Sequence, residues 1–246
     1  MRKITDICYD EKTGQSLDIY LPDSSEFSVI IYFHGGGLVG GDKSYQKVFF
    51  DYLVSEGFAV VSANYRLYPN AKYPDFIEDA AGAVAYVFKN LGEYGDVKGI
   101  YVGGSSAGGY LSQMLCFDRR WLCVHGIKPS DISGFYHDAG QPTCHFNVLK
   151  ERGIDSRRVI IDDSSSLYHI GEDEEYPPML IIVSDNDMKN RYEQTMLLVS
   201  TLKHFGHSEK VLLKVMNGGH CSYIDKKDEC SKSVFGKLVT DFIRNI

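Results

Sequence analysis

The residues best suited to chemistry begin with Gly104-Ser105-Ser106-Ala107-Gly108, which follows the apolar run Ile100-Tyr101-Val102 and precedes a helical pattern. A serine at the tip of a strand-to-helix turn holds its hydroxyl exposed, and the crowded backbone admits only glycine two positions before and two after it. The same turn sets a helix N-terminus, with unpaired N–H groups and a positive dipole end, beside the oxygen where negative charge would develop. G-x-S-x-G also occurs in glycine-rich turns that do nothing, so its meaning depends on what accompanies it. Upstream, an apolar strand at 29–33 runs into His34-Gly35-Gly36-Gly37, a backbone bare enough to aim N–H groups at an oxyanion. Downstream, an apolar run at 179–183 ends in Ser184-Asp185-Asn186-Asp187, and a run at 211–215 leaves through Asn217-Gly218-Gly219 to His220. A hydroxyl, a carboxylate and an imidazole on strand ends are the parts of nucleophilic acyl transfer. In that chemistry His220 takes the Ser106 proton, Asp187 orients the imidazole, the N–H groups of Gly36, Gly37 and Ala107 receive the oxyanion, and no cofactor is required.

The chain order Ser106, Asp187, His220 is that of α/β-hydrolases rather than of trypsin-like or subtilisin-like enzymes. With His34-Gly35-Gly36-Gly37, Gly40-Gly41-Asp42-Lys43, Asn64-Tyr65-Arg66-Leu67 and Gly104-Ser105-Ser106-Ala107-Gly108-Gly109, the chain resembles α/β-hydrolase esterases of the hormone-sensitive-lipase-like branch and small bacterial carboxylesterases. The likeness runs from Leu17-Asp18-Ile19-Tyr20-Leu21-Pro22 to His220. Two positions depart from it: Ser105 stands where many relatives carry an acid, and Ser184 where many carry glycine in the acid loop, which leaves Asp185 as a competitor to Asp187. The resemblance implies a serine carboxylesterase acting on small or short-acyl esters, acetylated sugars and hydroxycinnamoyl esters among the candidates. An amidase of kynurenine-formamidase type would share the triad, although those relatives usually carry an aromatic soon after a two-glycine loop where Gly37-Leu38 stands here. A non-catalytic ligand-binding member of the fold is the other alternative, since fold alone does not fix function.

Bulk properties agree with a single α/β domain of 246 residues, with no linker, repeat or low-complexity tract. A formal charge of −7 argues against a nucleic-acid partner, because phosphate binding needs an excess of Lys and Arg. The opening residues Met1-Arg2-Lys3-Ile4-Thr5-Asp6-Ile7-Cys8 lack the continuous apolar stretch of a signal peptide, and every apolar run is strand-sized, so neither export nor a membrane partner is expected. Six cysteines without C-x-x-C or zinc-like spacing read as free thiols in the cytoplasm. Among them Cys221 adjoins His220, as a packing residue or as a thiol lining the site. The partner expected is a small-molecule ester, and no feature points to an oligomeric state.

To position the triad, the pattern predicts an opening hairpin at 4–10 and 16–21, then strands at 28–33, 58–63 and 99–103 alternating with helices at 44–56, 75–90 and 106–117. Alternation of this kind gives a mainly parallel sheet covered on both faces, and the last helix, with Val234, Phe235, Leu238, Val239, Phe242 and Ile243, is expected to pack. Between a short strand ending near Gly134 and the strand at 179, weak periodicity marks an insert at about 135–176, where α/β-hydrolases place a cap. Phe135, Tyr136 and Phe146 would line an ester pocket beneath it or form its own small core. His137, Asp138, Cys144 and His145 match no metal-ligand spacing, so no metal is expected, and Glu172-Asp173-Glu174-Glu175 reads as a solvated turn.

Overall fold

In the computed structural model, which describes residues 1–171 and 174–246, one eight-stranded sheet runs through the chain in the order β1-β2-β4-β3-β5-β6-β7-β8. The strands are β1 (Arg2–Asp10), β2 (Gln15–Leu21), β3 (Glu26–Phe33), β4 (Ala59–Ala63), β5 (Asp96–Ser105), β6 (Gly134–Asp138), β7 (Met179–Asn186) and β8 (Val211–Gly219). The opening hairpin pairs antiparallel and joins β4 antiparallel; from β4 onward every pairing is parallel. The helices are α1 (Lys47–Ser55), α2 (Asp75–Asn90), α3 (Ala107–Phe117), α4 (Arg120–Cys123), α5 (Phe146–Glu151), α6 (Arg191–His204) and α7 (Val234–Arg244).

Central strands are buried on both faces, so alternate residues feed two separate cores. From β3, Val29, Ile31 and Phe33 enter the core under α2 and α3, while Ile30 and Tyr32 enter the one under α1 and α7. The aromatic clusters follow the same division: Phe49 lies 4.6 Å from Phe235, joining α1 to α7, and Phe76 lies 6.5 Å from Tyr110, joining α2 to α3. Ser233 caps α7 by accepting from the Gly236 N–H at 3.0 Å.

Two expectations need correction, and one helix was not expected. The stretch 135–138 belongs to β6 rather than to the insert, which therefore begins at Ala139. As a result Phe135 and Tyr136 are fully buried sheet residues facing opposite cores, Phe135 stacked on His137 and Tyr136 edge-on to Phe235; neither lines a pocket. Helix α6 has no counterpart in the periodicity, because Met196, Leu197, Leu198 and Val199 are consecutive and its buried face includes Arg191, Gln194 and Thr195. Of the acidic run, Glu172 and Asp173 lie outside the described residues, and Glu174 sits 3.7 Å from Arg119.

No helix among the described residues is long and apolar enough to cross a membrane. All six cysteines are free.

Candidate active site

The elbow forms where β5 meets α3. Ser106 takes φ 56° and ψ −111°, a conformation that costs a non-glycine residue about 1–3 kcal/mol and that packing must impose. That packing is visible at the flanking glycines. A Cβ on Gly108 would lie 1.9 Å from the Phe33 carbonyl oxygen, and one on Gly104 would lie 2.5 Å from the same atom. These contacts are with backbone, so no side-chain rotation can relieve them. The Ser106 N–H is tied to the Asp138 carbonyl at 2.8 Å, fixing the elbow to the neighbouring strand.

His220 reaches this serine from the loop after β8. Its Nε2 lies 2.8 Å from the Ser106 Oγ and its Nδ1 2.6 Å from the Asp187 Oδ1. A carboxylate only accepts, so Nδ1 carries the ring proton and Nε2 is left to accept from the serine hydroxyl. Asp187 has no exposed side-chain surface and receives two further N–H groups, from Met188 at 2.7 Å and from Ser184 at 3.2 Å. Burial alone would raise its pKa, but the bond and charge of His220 and the backbone N–H groups hold the carboxyl below its ordinary value. Asp185 points elsewhere, accepting from the Gly218 N–H at 2.8 Å and so bracing the loop that carries His220.

The glycine loop after β3 faces the same point. Gly36 and Gly37 have φ of 122° and 64°, and a Cβ on Gly36 would meet the Gly40 carbonyl oxygen at 2.0 Å. The N–H groups of Gly36, Gly37 and Ala107 donate to nothing among the described residues, so they remain available to an anion. His34 braces this loop: its ring stacks on Tyr65 at 4.4 Å, its Nδ1 donates to the Gly35 carbonyl at 2.7 Å, and burial lowers its pKa. Asn147 at the start of α5 donates to the Gly37 carbonyl, and the Phe146 ring packs where a Gly37 side chain would stand. Phe146 alone among the three candidate pocket aromatics lies at the site.

Sequence reasoning missed two buried charges here. Asp138, at the carboxyl end of β6, receives the Tyr223 hydroxyl, and burial pushes its carboxyl up to about 6 against the pull of nearby hydroxyls. The Cys221 thiol lies 3.8 Å from Asp138 Oδ2 and 3.7 Å from the His220 Nε2; burial raises its pKa well above the ordinary value, so it stays a thiol. The second charge, Arg191, is 3% exposed at the start of α6 and donates to the Ala139 carbonyl. Correct placement of β6 would have put Asp138 at a strand end, where open α/β sheets build their sites; no local pattern announces Arg191. His137, Cys144 and His145 have separate partners: Ser112 Oγ at 2.9 Å, Ser164 Oγ at 3.0 Å and the Asn147 N–H at 3.2 Å.

Comparison with known proteins agrees with this architecture. The BD-FAE family model matches residues 17–122. Esterase B from Lactobacillus Rhamnosis superposes with a TM-score of 0.80 at 18% identity, covering 98% of this chain and 84% of that one. A truncated carbohydrate esterase from gut microbiota gives 0.79 at 21% identity, covering 100% and 96%. The chain therefore has the α/β-hydrolase fold. Its sequence likeness to esterases of that fold extends to Esterase LipI of Mycobacterium tuberculosis, 40% identical over 101 residues, which are 40% of this chain and 32% of LipI. The chain spans about a third of the length of the curated relatives it first matches.

Proposed function

We propose that this protein is a serine carboxylesterase of small or short-acyl esters. The observation that carries the reading is the continuous relay Ser106–His220–Asp187, with 2.8 Å and 2.6 Å links. In it, Ser106 Oγ attacks the ester carbonyl as its proton passes to His220 Nε2, and the Asp187 carboxylate stabilises the resulting imidazolium. The former carbonyl oxygen, now negative, faces the free N–H groups of Gly36, Gly37 and Ala107, each such donor contributing about 10²–10³ in rate. Collapse expels the alcohol, which takes the proton from His220. Water, deprotonated by the same imidazole, then releases the acid and restores the serine.

The place for a short acyl group is a cavity of about 510 Å³ lined by Phe146, whose ring packs against Gly37, and by Met188, which follows Asp187. A cytoplasmic location is part of the same reading, supported by six unpaired thiols. Acetylated sugars and hydroxycinnamoyl esters are the substrate classes to test first.

A fluorophosphonate probe supplies the primary test. One adduct is expected by intact mass on the native chain and none on Ser106→Ala, alongside hydrolysis of two- to four-carbon aryl esters. Labelling that survives the substitution excludes the assignment.

A further inference from the structure

The cavity lined by Phe146 and Met188 is strongly cationic. Four of its lining residues are Arg157, Arg158, Lys189 and Arg191, and none is acidic, in a chain whose net charge is −7. Arg157 is paired with Asp155 at 2.6 Å. Of the four, Arg157 alone takes part in an ion pair among the described residues. Arg158 and Lys189 are exposed at the rim. Arg191 is different, because it is buried, and a buried guanidinium is normally matched by a carboxylate. Its contacts are instead neutral oxygens: the Ala139 carbonyl and Gln141 Oε1 at 3.3 Å.

The carboxylate whose charge reaches Arg191 makes no hydrogen bond to it. Asp187 acts on Arg191 only through its field, and its oxygens are engaged instead by His220, Met188 and Ser184. A bond from Arg191 would compete for the charge the imidazolium needs. The guanidinium is thus held without a directly bonded counter-charge at the wall of the cavity, one turn of chain from the triad acid. Retaining such a group is unfavourable in the empty protein and favourable once an anion enters, because a charge-assisted pair in a partly desolvated site is stronger than one in water.

We infer that this cavity seats a carboxylate, and that the esters hydrolysed at Ser106 carry one in either their acyl or their alcohol part, with Arg191 as the buried contact and Arg158 and Lys189 as the rim. The inference rests on the esterase reading for its substrate class but not for the anion site itself.

The test compares kcat/KM for charged esters and their neutral isosteres at neutral pH. Monomethyl glutarate against methyl glutaramate reports a carboxylate on the acyl side. Correspondingly, 4-acetoxybenzoate against 4-acetoxybenzamide reports one on the alcohol side. In one arm the native protein should favour the charged ester by about tenfold or more, and the ratio should fall toward unity in Arg191→Gln, in Arg158→Ala/Lys189→Ala, and with added salt. The rim variant keeps the test informative if Arg191→Gln does not fold. Calorimetry with glutarate and with glutaramide needs no turnover: glutarate should bind saturably, glutaramide should not, and both variants should weaken the binding. A charge preference or glutarate binding that the variants abolish upholds the site. Absence of both in the native protein overturns it. Glutarate binding without hydrolysis of any ester leaves the anion site standing and removes the esterase reading.

Discussion

The two sides of the site are built from different materials. On one side, the elbow and the glycine loop present backbone: N–H groups of Gly36, Gly37 and Ala107, held by contacts in which a single added carbon would lie 1.9–2.5 Å from a carbonyl oxygen. On the other, the ends of β6, β7 and β8 and the start of α6 present side chains: Asp138, Asp187, His220 and Arg191. The backbone side tolerates almost no substitution and conveys little about substrate. The side-chain side is held by hydrogen bonds rather than by backbone contact, and it holds the charges that decide protonation and, by our inference, selectivity. The BD-FAE match at residues 17–122 falls on the backbone side, so it covers the elbow and the glycine loop and includes neither Asp187, His220 nor the cavity.

The largest expected effect is structural. Gly108→Ala should yield no folded protein, or one destabilised beyond about 4 kcal/mol, because the clash is with the Phe33 backbone. A soluble variant with native Tm and unaltered activity would show that the elbow is less rigid than described. Next comes Asp187→Asn, expected to lower kcat by about 10⁴ while circular dichroism and Tm stay near native values, since the asparagine presents the wrong tautomer partner to His220. Unfolding in that variant would erase the distinction between the two sides.

Tyr136→Ala serves as a check from outside the site. Its ring is buried against Phe235 in the α1–α7 core, so the loss should be about 3–5 kcal/mol of stability, with the relative kcat/KM across acyl lengths unchanged. A shift in acyl preference would return Tyr136 to the pocket.

Asp138 gives a smaller effect that depends on pH. Its folded pKa, raised by burial to about 6, exceeds the unfolded value of 3.8. Between those values the folded state keeps a proton the unfolded state has released, so this group's contribution to stability falls as pH rises from about 4 to about 6, by an amount on the order of 3 kcal/mol. Asp138→Asn removes that dependence while still accepting from the Tyr223 hydroxyl. The variant should therefore gain stability relative to the native protein between pH 4 and 7, measured by denaturant midpoints at both ends. A constant difference across that window would mean the carboxyl is ionised throughout.

The smallest change is expected from Asp185→Asn. The amide oxygen introduced there would still accept from the Gly218 N–H, losing only the charge on that bond, so about 1 kcal/mol of stability and a few-fold in kcat should be at stake. An effect on kcat exceeding that of Asp187→Asn would exchange the roles of the two acids.

Legibility in the sequence follows the same line. The alternation of strands and helices from 28 to 117, the elbow and the glycine loop could be read directly, since local sterics fix them: a glycine beside a tight turn is required by atoms a few residues away or on the adjacent strand. The order Ser106, Asp187, His220 could be read too, because each ends an apolar run of strand length. Helix α6 could not. Its buried face carries Arg191, Gln194 and Thr195, whose partners, Ala139 and Gln141 for the first and Thr143 for the second, lie about fifty positions earlier. Nor could Asp138 be told from an insert residue until β6 was paired between β5 and β7. Sequence by itself determined the parts whose conformation depends on steric limits along the chain. The depth of a carboxylate, the isolation of a guanidinium and the wall of a cavity depend on which distant groups arrive nearby, and burial and charge pairing come into being only when the tertiary structure closes.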